Sequence, residues 1–180
     1  MKATGIVRRI DDLGRVVIPK EIRRTMRIRE GDPLEIFTDK DGELIFKKYS
    51  PIGELSDFAA QICDSLRKAT DGIVAVSDRD SVIAIAGGAK RELMDKPISQ
   101  QLATVMESRS VYRQESGGSS MPVVADDEKY CVSIAAPVIS EGDLMGCVMF
   151  ITPRNSSPCE ELEYKLAQTV ASFLGKQMES

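Results

Sequence analysis

Nine basic side chains fall within the first 29 residues: Lys2, Arg8, Arg9, Arg15, Lys20, Arg23, Arg24, Arg27 and Arg29. Only Asp11, Asp12 and Glu21 oppose them, so this end carries a formal charge of +6. The other 151 residues hold 15 basic and 25 acidic side chains, or −10, and the net charge of −4 for the 180-residue chain hides the split. Arginine offers a flat fork of donors that grips a phosphate, or the O6/N7 edge of guanine, through two parallel bonds. Charge asymmetry of this kind points to nucleic acid or another acidic surface. The plainer alternative is a solvated face of a small domain.

The remaining reactive residue types exclude more than they offer. There is no histidine, which removes Ser-His-Asp and Cys-His catalysis, histidine bases and histidine metal ligands. There is no tryptophan and aromatics make up 5%, so reading bases by aromatic stacking is not expected. Cys63, Cys131, Cys147 and Cys159 contain no CxxC pair, so neither a zinc knuckle nor a thioredoxin motif is present. Cys131 and Cys147 lie in apolar strand-like runs and read as small buried hydrophobes. The acidic pairs Asp78/Asp80, Asp126/Asp127 and Glu160/Glu161 fall in turns or at a helix start, where acids suit the helix dipole. Gly87-Gly88 follows a strand but forms no phosphate-binding motif. Neither a metal nor a cofactor is expected. No signal-peptide core and no run of about 18–20 apolar residues occurs, so a reducing cytoplasm with free thiols is expected.

The basic end must be held by short elements. Residues 5–10 and 15–18 have strand character and flank turn chemistry at Asp11-Asp12-Leu13-Gly14. Were 5–10 a strand, Arg8 and Arg9 would point to opposite faces. Pro19 suits the first turn of a short helix over Lys20–Met26, on which Arg23 and Arg24 lie. Segments 34–38 and 43–48 flank Asp39-Lys40-Asp41-Gly42 and form a hairpin. This unit, residues 1–50, has few large apolar side chains and buries too little to be comfortable alone. A second copy, or the rest of the chain, must supply the missing core.

Ser50-Pro51 opens a linker or dimerisation helix over 51–69. Ile52, Leu55, Ala59, Ile62 and Leu66 repeat at spacings of 3 and 4, a seam of about two heptads. The same pattern serves an amphipathic helix that covers a sheet. Residues 70–180 then read as strands 73–77 and 81–86, a helix at 99–108, strands near 110–115, 130–139 and 144–151, and a last helix capped by Ser157-Pro158. That helix carries Leu162, Leu166, Val170, Phe173 and Leu174 along one face. Residues 116–129 form the longest loop and are expected to flank a ligand pocket. Hairpin-linked strands with helices fore and aft describe an α+β domain on an antiparallel sheet.

The run MKATGIVRRIDDLGRVVIPKEIRRTMRIREGDPLEIF resembles, over its whole length, the DNA-binding domain of the AbrB family of transition-state regulators. Residues 70–180 are similar to GAF domains in element order and in phrases such as APVISEGDLMGCVMF. The resemblance implies a swapped-hairpin N-terminal dimer in which strands of two chains interleave. It implies a transcription regulator, activating or repressing, that binds double-stranded DNA on the nucleoid with loose consensus sites, as a dimer or tetramer. DNA contact is attributed to arginines that match Arg8, Arg15, Arg23 and Arg24, with Lys2 and Arg9 in the same region. A GAF-like domain implies a small-molecule ligand, although the signature of the cyclic-nucleotide-binding GAF domains is absent. The alternative is an enzyme: some GAF domains reduce free methionine sulfoxide with thiolates, and Cys131, Cys147 or Cys159 would have to serve. An AbrB-like antitoxin is a third reading, at odds with the size of the C-terminal domain.

Overall fold

The computed structural model describes residues 5–125, 127 and 129–179, and the chain divides into two compact units, 1–49 and 50–180. In the first unit, residues 5–18 form no regular strand. The strands expected at 5–10 and 15–18 are corrected on this point. A strand needs a neighbour for its N–H and C=O groups. The turn between the two segments is bonded from Asp11 N to the Arg15 carbonyl at 3.0 Å, and no strand ladder extends from it among the described residues. Pro19 caps helix α1 (Lys20–Thr25) from outside its first position. Strands β1 (Leu34–Thr38) and β2 (Leu44–Lys48) pair antiparallel, with Leu34 opposite Lys48 and Ile36 opposite Phe46. Asp39 closes their turn by accepting from the Asp41 and Glu43 amides at 3.0 and 2.9 Å, and Gly42 takes the positive φ the turn requires.

Among residues 5–49 only Pro19 is buried. Val7, Ile10, Leu13, Val16 and Val17 all stand exposed, Val7 at 88%. An apolar surface of this extent on so small a unit marks an interaction face.

The second unit is three-layered. Its sheet runs β4-β3-β8-β7-β5, built from β3 (Ile73–Asp78), β4 (Val82–Ala86), β5 (Tyr112–Arg113), β7 (Tyr130–Ser140) and β8 (Asp143–Pro153). A short β6 (Met121–Pro122) also pairs with β7, and every pairing is antiparallel. One face is covered by α3 (Ser56–Thr70) and α6 (Glu161–Gln177), which bury Val74, Val76, Val148 and Phe150. The other is covered by α4 (Lys90–Leu93), α5 (Gln100–Glu107) and the chain around Ile98 and Val123, over Ala75, Cys147 and Met149. Alternate strand residues thus feed two cores.

Three expectations are revised. The helix expected over 51–69 is two pieces, α2 (Pro51–Glu54) and α3, broken at Leu55. Ser50 still caps the entry, accepting from Gly53 N at 3.2 Å. The last helix begins at Glu161, not after Ser157-Pro158, because Glu160 and Glu163 form a capping box. The third revision concerns the loop 116–129. It is not open along its length: Met121, Val123 and Val124 are buried in the core.

The buried stripe of α6 is Ala167, Ala171, Leu174 and Gly175, whereas Leu162 and Phe173 are 57% and 46% exposed. Small residues face the sheet because the helix lies close against it, and a Cβ at position 175 would collide with the Ile139 carbonyl of β7. Gly175→Ala should therefore destabilise the second unit by about 1–3 kcal/mol, the usual cost of overpacking, read as a lower thermal midpoint by far-ultraviolet circular dichroism. A midpoint equal to wild type would show that α6 can lift away freely.

Candidate nucleic-acid interface

The basic end is organised around one turn. Asp11 Oδ1 accepts from Leu13 N at 3.0 Å and Arg15 N at 2.7 Å, and Oδ2 accepts from Arg15 Nε at 2.8 Å. Gly14 closes the turn with φ +74. The Arg15 amide above all, aided by its guanidinium and the Leu13 amide, holds the Asp11 carboxyl below its usual range against an opposing effect of burial. The aspartate is thus both turn former and rotamer lock. Arg15 is anchored through Nε while its side chain stays 69% exposed, and its guanidinium carries two further nitrogens able to donate.

Arg8, Arg9, Arg23 and Arg24 are exposed and form no side-chain bond or ion pair among the described residues. Arg8 and Arg9 lie on the extended segment before the turn, and Arg23 and Arg24 in the last turn of α1. Lys2 lies outside the described residues, as does Asp126 of the acidic pairs. Arginines with free donors at the surface, in an end of net charge +6, suit phosphate and base-edge contact. With six residues, α1 is under two turns and cannot serve as a long recognition helix.

The seam residues divide. Ile52, Ala59 and Leu66 are fully or almost fully buried in the second unit's own core, together with Cys63. Their burial against the sheet is the amphipathic-helix role of the pattern, and it removes them from any surface. Leu55 and Ile62 are half-buried. Beside them, Phe58 meets Phe173 of α6 with ring centroids 6.1 Å apart.

The cysteines give no support to thiol catalysis. Burial pushes the Cys63 thiol up to about 12, with Asp64 adding to it. Burial raises Cys147 and Cys159 as well. A reactive thiolate needs the opposite shift. A groove lies beside Cys159, lined by Arg113–Ser116 and Ser157–Glu160. Of the loop 116–129 it takes only Ser116. No group of three or more His, Cys, Asp or Glu among the described residues could hold a metal ion. Among the described residues no helix is long and apolar enough to cross a membrane.

A basic, hairpin-bearing N-terminal unit followed by a GAF-like sheet unit defines a class of two-domain transcription regulators, and the comparisons agree with that class. Residues 54–179 match the family described as "Stage V sporulation protein T C-terminal, transcription factor". Residues 7–54 match "Antidote-toxin recognition MazE, bacterial antitoxin". The chain is 49% identical over 179 residues, 99% of each protein, to stage V sporulation protein T of Bacillus subtilis (strain 168). It is 57% identical over 63 residues to the transition state regulatory protein AbrB of the same organism, covering 32% of this chain and 65% of that one. The chain belongs to the stage V sporulation protein T family.

The fold of the second unit recurs in a GAF domain from an Acinetobacter phosphoenolpyruvate-protein phosphotransferase, with TM-score 0.52 and 13% identity over 73% of this chain and 84% of that one. It recurs in a type II free methionine-R-sulfoxide reductase from Thermoplasma acidophilum, with TM-score 0.51 and 12% identity over 69% and 94%. At such identity only the fold is shared. The full-length kinship is to a transcription factor, so the chain is a regulator and not an enzyme.

Native protein treated with a thiol reagent at pH 8 should leave Cys63 and Cys147 unlabelled until denaturant is added, as mass spectrometry of the peptides would show. Rapid native labelling of Cys147 would contradict the packing described above.

Proposed function

We propose that the chain binds double-stranded DNA as a dimer or tetramer and regulates sporulation-stage genes, as an activator, a repressor or both. Arg8, Arg15, Arg23 and Arg24 make the contacts, with Lys2 and Arg9 beside them. The observation that carries this reading is the set of exposed arginines around a turn whose aspartate already fixes Arg15. The close relationship to AbrB over this stretch supports it. Contacts from loops and a short helix favour reading of DNA shape and deformability, hence loose consensus sites, and phosphate contacts give steep salt dependence.

The exposed apolar side chains at 7, 10, 13, 16 and 17 support self-association, since a second copy that interleaves its strands would cover them. A tetramer adds a second contact through Leu55 and the outer surfaces of α3 and α6, where Phe58, Ile62, Leu162 and Phe173 keep some exposure. A nucleoid location follows from DNA binding. For the small molecule expected of the GAF-like unit, the groove beside Cys159 is the candidate seat. Gln114 Oε1 is buried there without a hydrogen-bond partner among the described residues. A rise in melting temperature with an added metabolite would reveal such a ligand.

Genome-wide DNA occupancy, compared between wild type and an Arg15→Ala strain, tests the function. Occupancy should collapse in the variant, and an unchanged profile would remove the assignment. In gel shifts each of Arg8→Ala, Arg15→Ala, Arg23→Ala and Arg24→Ala should cost about 1–3 kcal/mol where the residue reads a base. Light scattering at micromolar concentration should give at least a dimer, and a monomer would refute the assembly.

A further inference from the structure

We infer that Asp32 and Lys48 are positioning residues of the DNA-binding end: they clasp the turn that ends α1 to the hairpin and so aim Arg23 and Arg24, without contacting DNA themselves. This rests on the reading that those arginines meet DNA. The side chain of Asp32 is 3% exposed, where only one of the described residues 5–49 is buried as a whole. Its Oδ2 accepts from Arg29 N at 2.8 Å and lies 3.6 Å from Lys48 Nζ. Lys48 Nζ in turn donates to the Arg27 carbonyl at 2.9 Å, across 21 residues of sequence.

Arg27 is where the chain reverses after α1, and it does so at φ +52, a conformation that a residue with a Cβ adopts reluctantly. Ile28 N donates to the Arg23 carbonyl at 2.7 Å, so the reversal is bonded directly to the helix turn that bears both arginines. Lys48 is the last residue of β2 and pairs with Leu34, the first of β1. One ammonium and one carboxylate therefore tie the strained exit of α1 to the end of the hairpin away from its own turn.

Removing charges from water is costly, and a charge pair is a poor way to add stability. Its advantage is direction: two hydrogen bonds and one ion pair to fixed partners define one orientation where loose apolar contact would allow several. An arginine fork reads a base edge only within a narrow range of geometry, so a helix free to swing would keep phosphate affinity and lose discrimination. Lys48, at 24% side-chain exposure and with Nζ held between two oxygens, is poorly placed to act as a phosphate ligand itself.

The test uses the full-length chain with Lys48→Met, Asp32→Asn and the double variant. Each is titrated by fluorescence anisotropy, over a range of salt, against two duplexes: one from a wild-type occupancy peak and a shuffled sequence of equal length. Each variant should lose at least tenfold in affinity for the peak duplex and stay within about twofold on the shuffled one. The dependence of log K on log salt should be unchanged, and the double variant should be no weaker than either single, because both remove one device. Unchanged discrimination between the duplexes would overturn the inference. Equal losses on both duplexes for Lys48→Met, with the salt slope reduced by about one, would also overturn it by making Lys48 a phosphate contact. Should a neutral variant fail to melt cooperatively, Asp32→Glu decides. It keeps both charges and lengthens the tether, so selective loss supports the clasp and wild-type discrimination refutes it. A wild type that binds neither duplex fails differently, since it removes the DNA reading on which the clasp depends.

Discussion

Residues 5–49 do not bury their own apolar side chains, and the rest of the molecule's logic follows from that constraint. Pro19 alone among residues 5–49 is buried, while five aliphatic side chains between 7 and 17 face solvent. Each would yield about 1.5–3 kcal/mol on full burial. That gain is available only from outside the unit. Residues 5–18 illustrate the same deficit in hydrogen bonds: their sequence favours strands, yet one chain offers no neighbour to complete a ladder. Self-association is thus the physical counterpart of the arginine display, since the surface that needs covering lies in the segment that carries Arg8 and Arg15.

What order this unit does have comes from polar bonds. Asp11 fixes the first turn and Arg15, Asp39 closes the hairpin, and Asp32 with Lys48 binds the exit of α1. Local carboxylate-to-amide bonds shape a backbone without needing a core. Asp11 thus acts as a structural ligand inside the basic segment, as Asp32 and Asp39 do just beyond it, and residues 1–29 keep a net surplus of six positive charges.

The second unit is built on the opposite principle. Its sheet is buried on both faces, and glycine permits close approach at several points, Gly146 and Gly175 among them. A Cβ at 146 would meet the Ser77 carbonyl of β3, and one at 175 the Ile139 carbonyl of β7. Packing on the two faces of the sheet, over Cys63 on one and Cys147 on the other, drives up both thiols and makes them structural. A shared fold with a sulfoxide reductase therefore carries no shared chemistry. The acidic character of this remainder, −10 over residues 30–180, favours keeping it away from phosphate.

The sequence by itself determined the charge split, the missing histidine chemistry, the two hairpins with their turn residues, and both long strands, because these depend on composition, on alternation and on local turn preference. The arginine set was legible for the same reason. Tertiary structure decided which apolar residues face inward. On α6 the large residues Leu162 and Phe173 were displaced from the buried stripe by Ala167, Ala171 and Gly175, since distance to the sheet, not hydrophobicity, selects what fits. On α3 the heptad spacing suited a partner helix and a sheet equally, and the sheet took Ile52, Ala59 and Leu66. Asp32 and Lys48 left no signal as a pair, being 16 residues apart in turn and strand. Only folding brings the carboxylate to the ammonium, because their meeting depends on the hairpin register and on the reversal at Arg27.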